Sequence, residues 1–323
     1  MGKMDQEIIR FSVIMPLYNK GAYVEKGIRS VLEQTYPHYE LIVVNDGSKD
    51  NSAVIAEELL KDIPNARLIN QENAGVAVAR NNGVAQAKGE YVCFLDADDW
   101  WDVSFLQEMQ QFIKDYPEAG IWGTNYWYVK NGKKKIVNGE IKTGYINFCV
   151  EYAKSLVQVL WTGSVCLHKD TYNRFNGFQP NLRLGEDFIL WLEVALNYKV
   201  AFLNKQLSFY NFDVDIKTRA ISKLHNPSNH MLWSLDIFKE YEITNNDVKL
   251  LFDKLRVNGL LQYWLVDEYH ELAKQELSKV DWSKQSANIC KVYRIPVGLL
   301  RVKQSLMHLA SYIKQSLIRL VLR

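Results

Sequence analysis

Cysteine is scarce and scattered in this chain of 323 residues: Cys93, Cys149, Cys166 and Cys290 stand far apart, none of them in a CxxC spacing. That pattern gives neither a disulfide framework nor a zinc site, and it fits a reducing, cytoplasmic setting. The N-terminal stretch MGKMDQEIIRF has no apolar segment of the kind that directs export, and MGKMDQ lacks the Ser or Thr of a myristoylation signal. Nowhere do 18 consecutive apolar residues occur, so no membrane span is expected. Internal repeats and low-complexity linkers are also missing. Acidic residues stop at Asp281, while Lys284, Lys291, Arg294, Arg301, Lys303, Lys314, Arg319 and Arg323 follow, so the end of the chain is a basic block although the formal net charge is only +2. What is present is ordinary globular material, 48% hydrophobic and 24% charged, enough for one sizeable α/β domain and an extension.

From residue 11 to 116 the pattern alternates. FSVIM, ELIVV, ARLIN and EYVCFL are short apolar runs rich in β-branched residues, as parallel strands covered on both faces require. Between them AYVEKGIRSVLEQ, NSAVIAEELLKD and AGVAVARNNGVAQAK carry helical periodicity. Repeated βαβ units predict a right-handed, doubly wound sheet. Beyond residue 117, IWGTNYWYVKNGKKKIVNGEI reads as a hairpin turning at Asn131-Gly132, SVCLHKD as a strand, GEDFILWLEVALNY as a helix, and KVAFLN and QLSFYNF as two further strands. A catalytic domain over residues 1–225 and a helical region over 226–323 are expected.

Ligands of open α/β sheets bind beyond the carboxyl ends of the strands. PLYN, NDGSKD, QENAG and DADDW stand at those four places. In DADDW, three carboxylates crowd within four positions; an extended segment would turn Asp96 and Asp98 to one side and Asp99 to the other. A hard divalent cation, Mg²⁺ or Mn²⁺, sharing its oxygen shell with a diphosphate and water, would resolve that repulsion. Taken alone, DADDW equally describes a solvated loop capping the helix that starts near Ser104, and Asp46-Gly47-Ser48 describes a turn. Asn73 and Gly75 open a helix whose N–H groups would face the same crevice, and Arg80 would hold a phosphate or orient Asp96. Glu186 and Asp187 begin an amphipathic helix, where the dipole favours anions whether or not they do chemistry.

FSVIMPLYN, VVNDGSKDNS, NAGVAVARNNG and FLDADD, in this order and spacing, resemble the N-terminal half of glycosyltransferase family 2, over about residues 10–215. The resemblance implies a GT-A fold and an inverting, metal-dependent transfer from a nucleotide-diphosphate sugar, commonly a UDP-sugar, to a hydroxyl of a glycan or lipid-linked saccharide. It further implies that Pro16, Tyr18, Asn19 and Asp46 line the nucleoside pocket with Asp46 facing the base, that Asp96 meets the ribose or a bridging water, that Asp98 ligates the metal, and that Asp187 of the Glu186-Asp187 pair is the general base. Trp161, Thr162, Gly163 and Ser164 precede a strand and are candidates for the acceptor floor, with core packing the competing explanation. Many relatives carry Tyr-Arg-x-His after the last strand; this chain has Tyr210-Asn211-Phe212-Asp213, which removes a His ligand there.

Other enzyme classes fit less well. A dehydrogenase needs GxGxxG after the first strand, and a sugar-phosphate nucleotidylyltransferase needs a Gly-rich, Arg-bearing loop there, which PLYNKGAY is not. Phosphatases built on a DxD nucleophile place it after the first strand, not the fourth. An inactive nucleotide-binding scaffold of the same fold is the other alternative. The tail over residues 297–323 spaces Leu299, Val302, Leu306, Leu309, Ile313, Leu317 and Leu320 at helical intervals, with basic residues mostly off that stripe. It suits either an anionic membrane surface, which would make the enzyme peripheral on the inner membrane face, or packing on protein; nucleic acid is not expected, because the basic residues are interleaved with an apolar face and not with exposed aromatics.

Overall fold

The computed structural model describes residues 10–214 and 224–302. Four strands open the chain, β1 (Phe11–Leu17), β2 (Tyr39–Asp46), β3 (Ala66–Gln71) and β4 (Tyr91–Phe94), connected by helices α1 (Val24–Leu32), α2 (Ser52–Leu60) and α3 (Val76–Ala85). They lie side by side in the order β3-β2-β1-β4, every pair parallel. The alternation within each strand explains why the runs are apolar throughout. Val13, Met15, Leu41 and Val43 pack with Val24, Ile28 and Val31 of α1 and with Ala56 of α2. The intervening Ile14 and Val44 meet α3: a Cβ on Gly83 would stand 2.4 Å from Ile14 Cγ2 and 3.2 Å from Val44 Cγ2, so only glycine lets that helix lie so close. Each wholly buried aliphatic side chain of this kind contributes roughly 1.5–3 kcal/mol.

The sheet then extends through β5 (Trp100–Trp101), α4 (Phe105–Asp115), β6 (Ala119–Lys130), β7 (Lys133–Ile136), β8 (Gly144–Ile146), α5 (Phe148–Ser155), β9 (Val165–His168), α6 (Lys169–Arg174), α7 (Glu186–Asn197) and β10 (Lys199–Asn211). Its order is β3-β2-β1-β4-β9-β6-β10-β5, with β7 added to β6 and β8 to β10. β9 runs antiparallel between β4 and β6, while β10 is parallel to β6. The result is the expected mixed α/β architecture, a mostly parallel sheet flanked by helices. The hairpin turns at Asn131 and Gly132, whose φ values of 50° and 71° are the left-handed pair that a two-residue turn of type I′ requires.

Two local expectations are corrected. KVAFLN and QLSFYNF are not separate strands but the single β10, whose register against β6 shifts between Leu203 and Gln206 and again between Gln206 and Ser208. A bulge absorbs the polar Asn204-Lys205-Gln206 break that looks like a loop in sequence. The crowded carboxylates do not cap the helix near Ser104: its N-cap residue Ser104 makes no side-chain cap bond, and Ser104 N–H and Oγ donate instead to Asp102 at 3.0 and 2.6 Å.

The chain divides into two compact units, Met1–Met231 and Leu232–Arg323. The second contains α8 (Lys239–Thr244), α9 (Asn246–Gly259), α10 (Leu261–Trp264), α11 (His270–Leu277) and α12 (Ala287–Arg294) around Leu251, Phe252, Leu260 and Tyr263. Its buried Arg256 pairs with Glu242 and Glu276. Residues 297–302 are again helical, with Leu299 and Val302 exposed while Arg301 donates to the Leu265 carbonyl at 2.9 Å and pairs with Asp267. The rest of the basic tail, Leu306, Leu309, Ile313, Leu317 and Leu320 included, lies outside the described residues. Among the described residues no helix is long and apolar enough to cross a membrane.

Candidate active site

The ends of β1, β2 and β3 are tied together by side chains. Asn19, in the left-handed conformation at φ 51°, donates its N–H to Ser48 Oγ at 3.1 Å and accepts Lys49 N–H on its Oδ1 at 2.8 Å. Pro16 is buried in β1 opposite Val44, while Tyr18 stands on the rim, 42% exposed. Asp46 is 3% exposed and densely engaged. Its Oδ1 accepts from Gln71 Nε2 at 2.8 Å and Ala74 N–H at 2.8 Å, and its Oδ2 from Asn73 Nδ2 at 3.2 Å and Gly75 N–H at 2.9 Å. A carboxylate offers about four lone-pair positions, so Asp46 anchors the start of α3 with all of them. It can accept a proton donor on a base only by giving one of these up. Gly75 has φ 97°, which a side chain would strain, and its Cα faces the Arg183 guanidinium, where a Cβ would be 2.3 Å from Nη1.

At the end of β4 the chain is not extended: a turn closes with Asp99 N–H donating to the Asp96 carbonyl at 3.0 Å. The alternation expected from an extended segment is therefore replaced, though Asp96 and Asp98 still part from Asp99. Each of the three carboxylates has its own answer to the crowding. Asp96 Oδ1 accepts from Arg80 Nη2 at 2.7 Å, Asp98 Oδ2 from Lys20 Nζ at 2.5 Å, and Asp99 is turned inward, 1% exposed, where it accepts Asn211 N–H at 2.7 Å. Burial, then the charges of Asp98 and Asp96, push the Asp99 carboxyl well above the usual range.

Arg80 joins the two halves of the sequence pattern. Wholly enclosed on the first turns of α3, it holds Asp96 with one nitrogen and Glu186 Oε1 with the other, at 2.9 Å. Burial opposes its charge, yet Asp96 and Glu186 more than offset this and hold its pKa above the ordinary value. Glu186 is raised, by burial first and by the neighbouring charge of Asp187, with Arg80 acting against both. These carboxylates sit at the N-terminus of α7, entered through Gly185 in a left-handed conformation at φ 84°.

Asp187 points to a different set of groups. Its Oδ2 accepts Thr162 Oγ1 at 2.9 Å and Gln158 Nε2 at 3.3 Å, and its Oδ1 accepts Phe188 N–H at 2.7 Å. The Gln158 backbone carbonyl accepts the hydroxyl of Tyr126 at 2.8 Å. Trp161 is buried and stacks on Tyr210 at 4.8 Å, while Gly163 and Ser164 are enclosed: the Gly163 carbonyl accepts the Trp101 indole N–H at 2.7 Å and Ser164 Oγ donates to the Trp161 carbonyl at 2.8 Å. Gly163 and Ser164 thus shape the backbone that presents Thr162, and their polar groups are committed inside.

Among the described residues no group of three or more His, Cys, Asp and Glu side chains gathers as a metal cage. The donor set nevertheless suits a hard cation. Asp98 and Asp96 offer oxygen only, at a partly open edge, which is the arrangement in which Mg²⁺ or Mn²⁺ takes one or two carboxylates and completes its shell with phosphate oxygens and water. Sequence reasoning missed Lys20 and Gln158. Lys20 had a readable signal, as a cation one residue after PLYN at the same sheet rim as DADD; Gln158 had none, since a glutamine in an irregular stretch carries no pattern.

Comparison with known proteins gives the class first. Staphylococcus aureus TarS residues 1–349, solved with UDP-GlcNAc, superposes with a TM-score of 0.60 at 19% identity, covering 84% of this chain and 71% of that one. The Pyrobaculum calidifontis mannosyltransferase PcManGT, solved with GDP-Man and Mn²⁺, superposes with a TM-score of 0.51 at 16% identity over 85% of this chain and 88% of its own. The fold is of the GT-A type. Residues 12–168 match the family described as Glycosyl transferase family 2, and the uncharacterized glycosyltransferase YibD of Escherichia coli K12 is 48% identical over 280 residues, 84% of this chain and 78% of YibD. The chain belongs to glycosyltransferase family 2, and it is a transferase enzyme.

Proposed function

We propose that this enzyme transfers a sugar, with inversion, from a nucleotide-diphosphate sugar, a UDP-sugar in the first instance, to a hydroxyl of a glycan or lipid-linked saccharide. One observation carries the reading: a single guanidinium, Arg80, bonds Asp96 of the strand-end acidic motif and Glu186 beside Asp187, so donor-side and acceptor-side carboxylates border one crevice.

In this reading the nucleoside lies over Pro16, Tyr18, Asn19 and Asp46, and the N-terminus of α3 at Asn73 and Gly75 faces the diphosphate. Asp98 would hold Mg²⁺ or Mn²⁺. When bound, the cation offsets negative charge on the leaving diphosphate, a Lewis-acid role of several kcal/mol. Asp187 is the general base. Thr162 and Gln158 both bond its Oδ2 and so fix the orientation of the carboxylate. As the acceptor oxygen bonds to the anomeric carbon, its proton passes to Asp187, the bond from that carbon to the diphosphate oxygen breaks, and the electron pair leaves with the nucleoside diphosphate. One displacement from the opposite face inverts the centre. A positioned base of this sort contributes about 10² to 10⁴-fold in rate. Nucleotidyl transfer is disfavoured, since the loop after β1 binds Ser48 and Lys49 of its own chain through Asn19 and is not Gly-rich and Arg-bearing.

Calorimetry with UDP, with and without Mn²⁺, followed by a nucleotide-sugar transfer screen, tests this. UDP binding should need Mn²⁺ and vanish in Asp98→Ala; Asp187→Asn should keep donor affinity and lose transfer. Metal-independent binding that survives Asp98→Ala, or transfer at the native rate in Asp187→Asn, refutes it.

A further inference from the structure

Beyond Asp187, on the same face of the sheet, lies a second set of side chains. Tyr126 and Tyr128 of β6 alternate onto one face, and Tyr210, next to Tyr128 in register, joins them from β10. Phe212 follows just after β10. The rings touch: Tyr128 to Phe212 at 4.5 Å, Tyr128 to Tyr210 at 5.5 Å, and Tyr210 stacked on Trp161 at 4.8 Å. Tyr128, Tyr210 and Phe212 are half-buried, a shelf of rings with part of its surface exposed. The shelf is continuous with the base. Trp161, which also packs on Tyr126 at 5.1 Å, precedes Thr162, and Thr162 bonds Asp187.

The far end of the shelf is basic. In the antiparallel β6–β7 ladder Tyr128 pairs with Lys135 and Lys130 with Lys133, and directly paired residues share a face. Lys130, Lys133 and Lys135 therefore stand on the face that carries Tyr128, all exposed. Lys134 lies on the opposite face, its ammonium 4.6 Å from the Phe209 ring. Among the described residues no ion pair joins Lys130, Lys133 or Lys135 to a carboxylate. Asp213, the acidic group at this corner, accepts Asn131 N–H at 2.7 Å and so holds the hairpin turn against the end of β10.

We infer that this shelf and lysine strip form the acceptor subsite, and that the acceptor is an acidic saccharide, bearing phosphate or carboxylate groups one or two sugar units from the hydroxyl that is glycosylated. The inference rests on the acceptor-side reading of Asp187. A pyranose presents an apolar face of C–H groups that packs on aromatic rings, and ammonium groups at the rim bind its anionic substituents by charge-assisted hydrogen bonds. The residues that replace the Tyr-Arg-x-His of many relatives thus keep a use, as shelf in place of diphosphate contact.

The full-length protein is titrated, with and without UDP and Mn²⁺, with lactose, lactose 6′-phosphate and a glucuronosyl-galactose disaccharide. The wild type should bind one or both acidic disaccharides about tenfold more tightly than lactose at low salt, less so at high salt. Lys133→Gln/Lys135→Gln should bring the acidic ligands to within about twofold of lactose while UDP affinity is unchanged, and Tyr128→Ala should weaken all three alike. The phosphate and carboxylate arms tell which acid is read. Equal affinity for neutral and acidic disaccharides, an acid preference that survives the double substitution, or no binding of any of the three overturns the inference. Failure of UDP to bind overturns the donor reading instead, and the disaccharide arms run without UDP decide the subsite by themselves.

Discussion

Replacing Arg80 by methionine keeps much of its volume and removes the charge that joins Asp96 to Glu186. The two carboxylates then differ in fate. The Asp96 side chain is 31% exposed and can be hydrated, whereas that of Glu186 is 12% exposed and loses the cation it is bonded to. Breaking a fully buried pair costs about 3–5 kcal/mol. Glu186 has a way out, because it can take up a proton. Protonating a carboxyl of ordinary pKa costs about 1.4 kcal/mol for each pH unit above that pKa, so the penalty is capped near 4 kcal/mol at pH 7 and near 1 kcal/mol at pH 5. We expect Arg80→Met to lose about 3 kcal/mol at pH 7 and most of that loss to disappear at pH 5. Glu186→Gln added to Arg80→Met should restore most of the stability at pH 7, a coupling that a double-mutant cycle isolates. Urea unfolding followed by tryptophan fluorescence reads all four combinations at both pH values. A loss under about 1 kcal/mol at pH 7, an equal loss at pH 5, or no recovery in the double variant refutes the strut.

Asp46→Asn replaces an acceptor of four N–H groups by an amide whose NH₂ opposes two of them, so it should cost roughly 2–3 kcal/mol of stability as well as UDP affinity; native urea resistance with lost UDP binding would make Asp46 a base reader alone. His230 is buried, and burial first, then His225, lowers its pKa to about 4. Above the ordinary His pKa of about 6.5 both states are neutral; as pH falls below it the unfolded chain binds the proton first, so stability present at pH 7 is lost toward pH 4, by about 2 kcal/mol on going to pH 5. His230→Gln should flatten that slope, and an unchanged slope counts against the assignment. Because the segment at His230 bridges to Leu184 just before the Glu186-Asp187 helix, transfer activity should fall over the same pH window. The apolar stripe that begins with exposed Leu299 and Val302 is proposed as a membrane-surface contact: truncation after Pro296 should release the protein from vesicles of anionic lipid in a flotation assay, and equal flotation with and without the tail removes the idea.

The sequence made the four parallel strands and the positions of PLYN, NDGSKD, QENAG and DADD legible, because a strand covered on both faces must be apolar at every position and ligand groups collect where such strands end. The Asn131-Gly132 turn was legible for a similar reason, since few residue pairs tolerate two successive left-handed positions. What stayed hidden was decided by neighbours remote in sequence. Asp46 finds its donors 25 to 29 residues away, Arg80 reaches Glu186 106 residues on, and Lys20 reaches Asp98 across 78. The β10 bulge was hidden because three polar residues in a strand and three in a loop read alike, and only the pairing with β6 distinguishes them.

Those remote pairings also alter the argument for a cation. DADD looks in sequence like a charge excess that only a metal could settle, yet the fold answers each carboxylate itself: Arg80 for Asp96, Lys20 for Asp98, a backbone N–H for Asp99. On the proposed reading, the case for a divalent ion rests instead on the crevice as a whole. Asp96, Asp98, Glu186 and Asp187 carry four formal negative charges against the two positive charges of Arg80 and Lys20, so two are left over where, on the proposed reading, an anionic diphosphate enters. Like charges in a partly enclosed cleft repel by several times what they would in open water. On the proposed reading, a divalent cation arriving with the donor neutralises the diphosphate's own charge, so that donor binding adds nothing to that excess, whereas a monovalent one leaves about half of the added charge. On this account, making the crevice more negative by a Lys20→Met substitution should increase the Mn²⁺ concentration dependence of UDP binding, because the ion then has to replace an ammonium as well as offset the diphosphate.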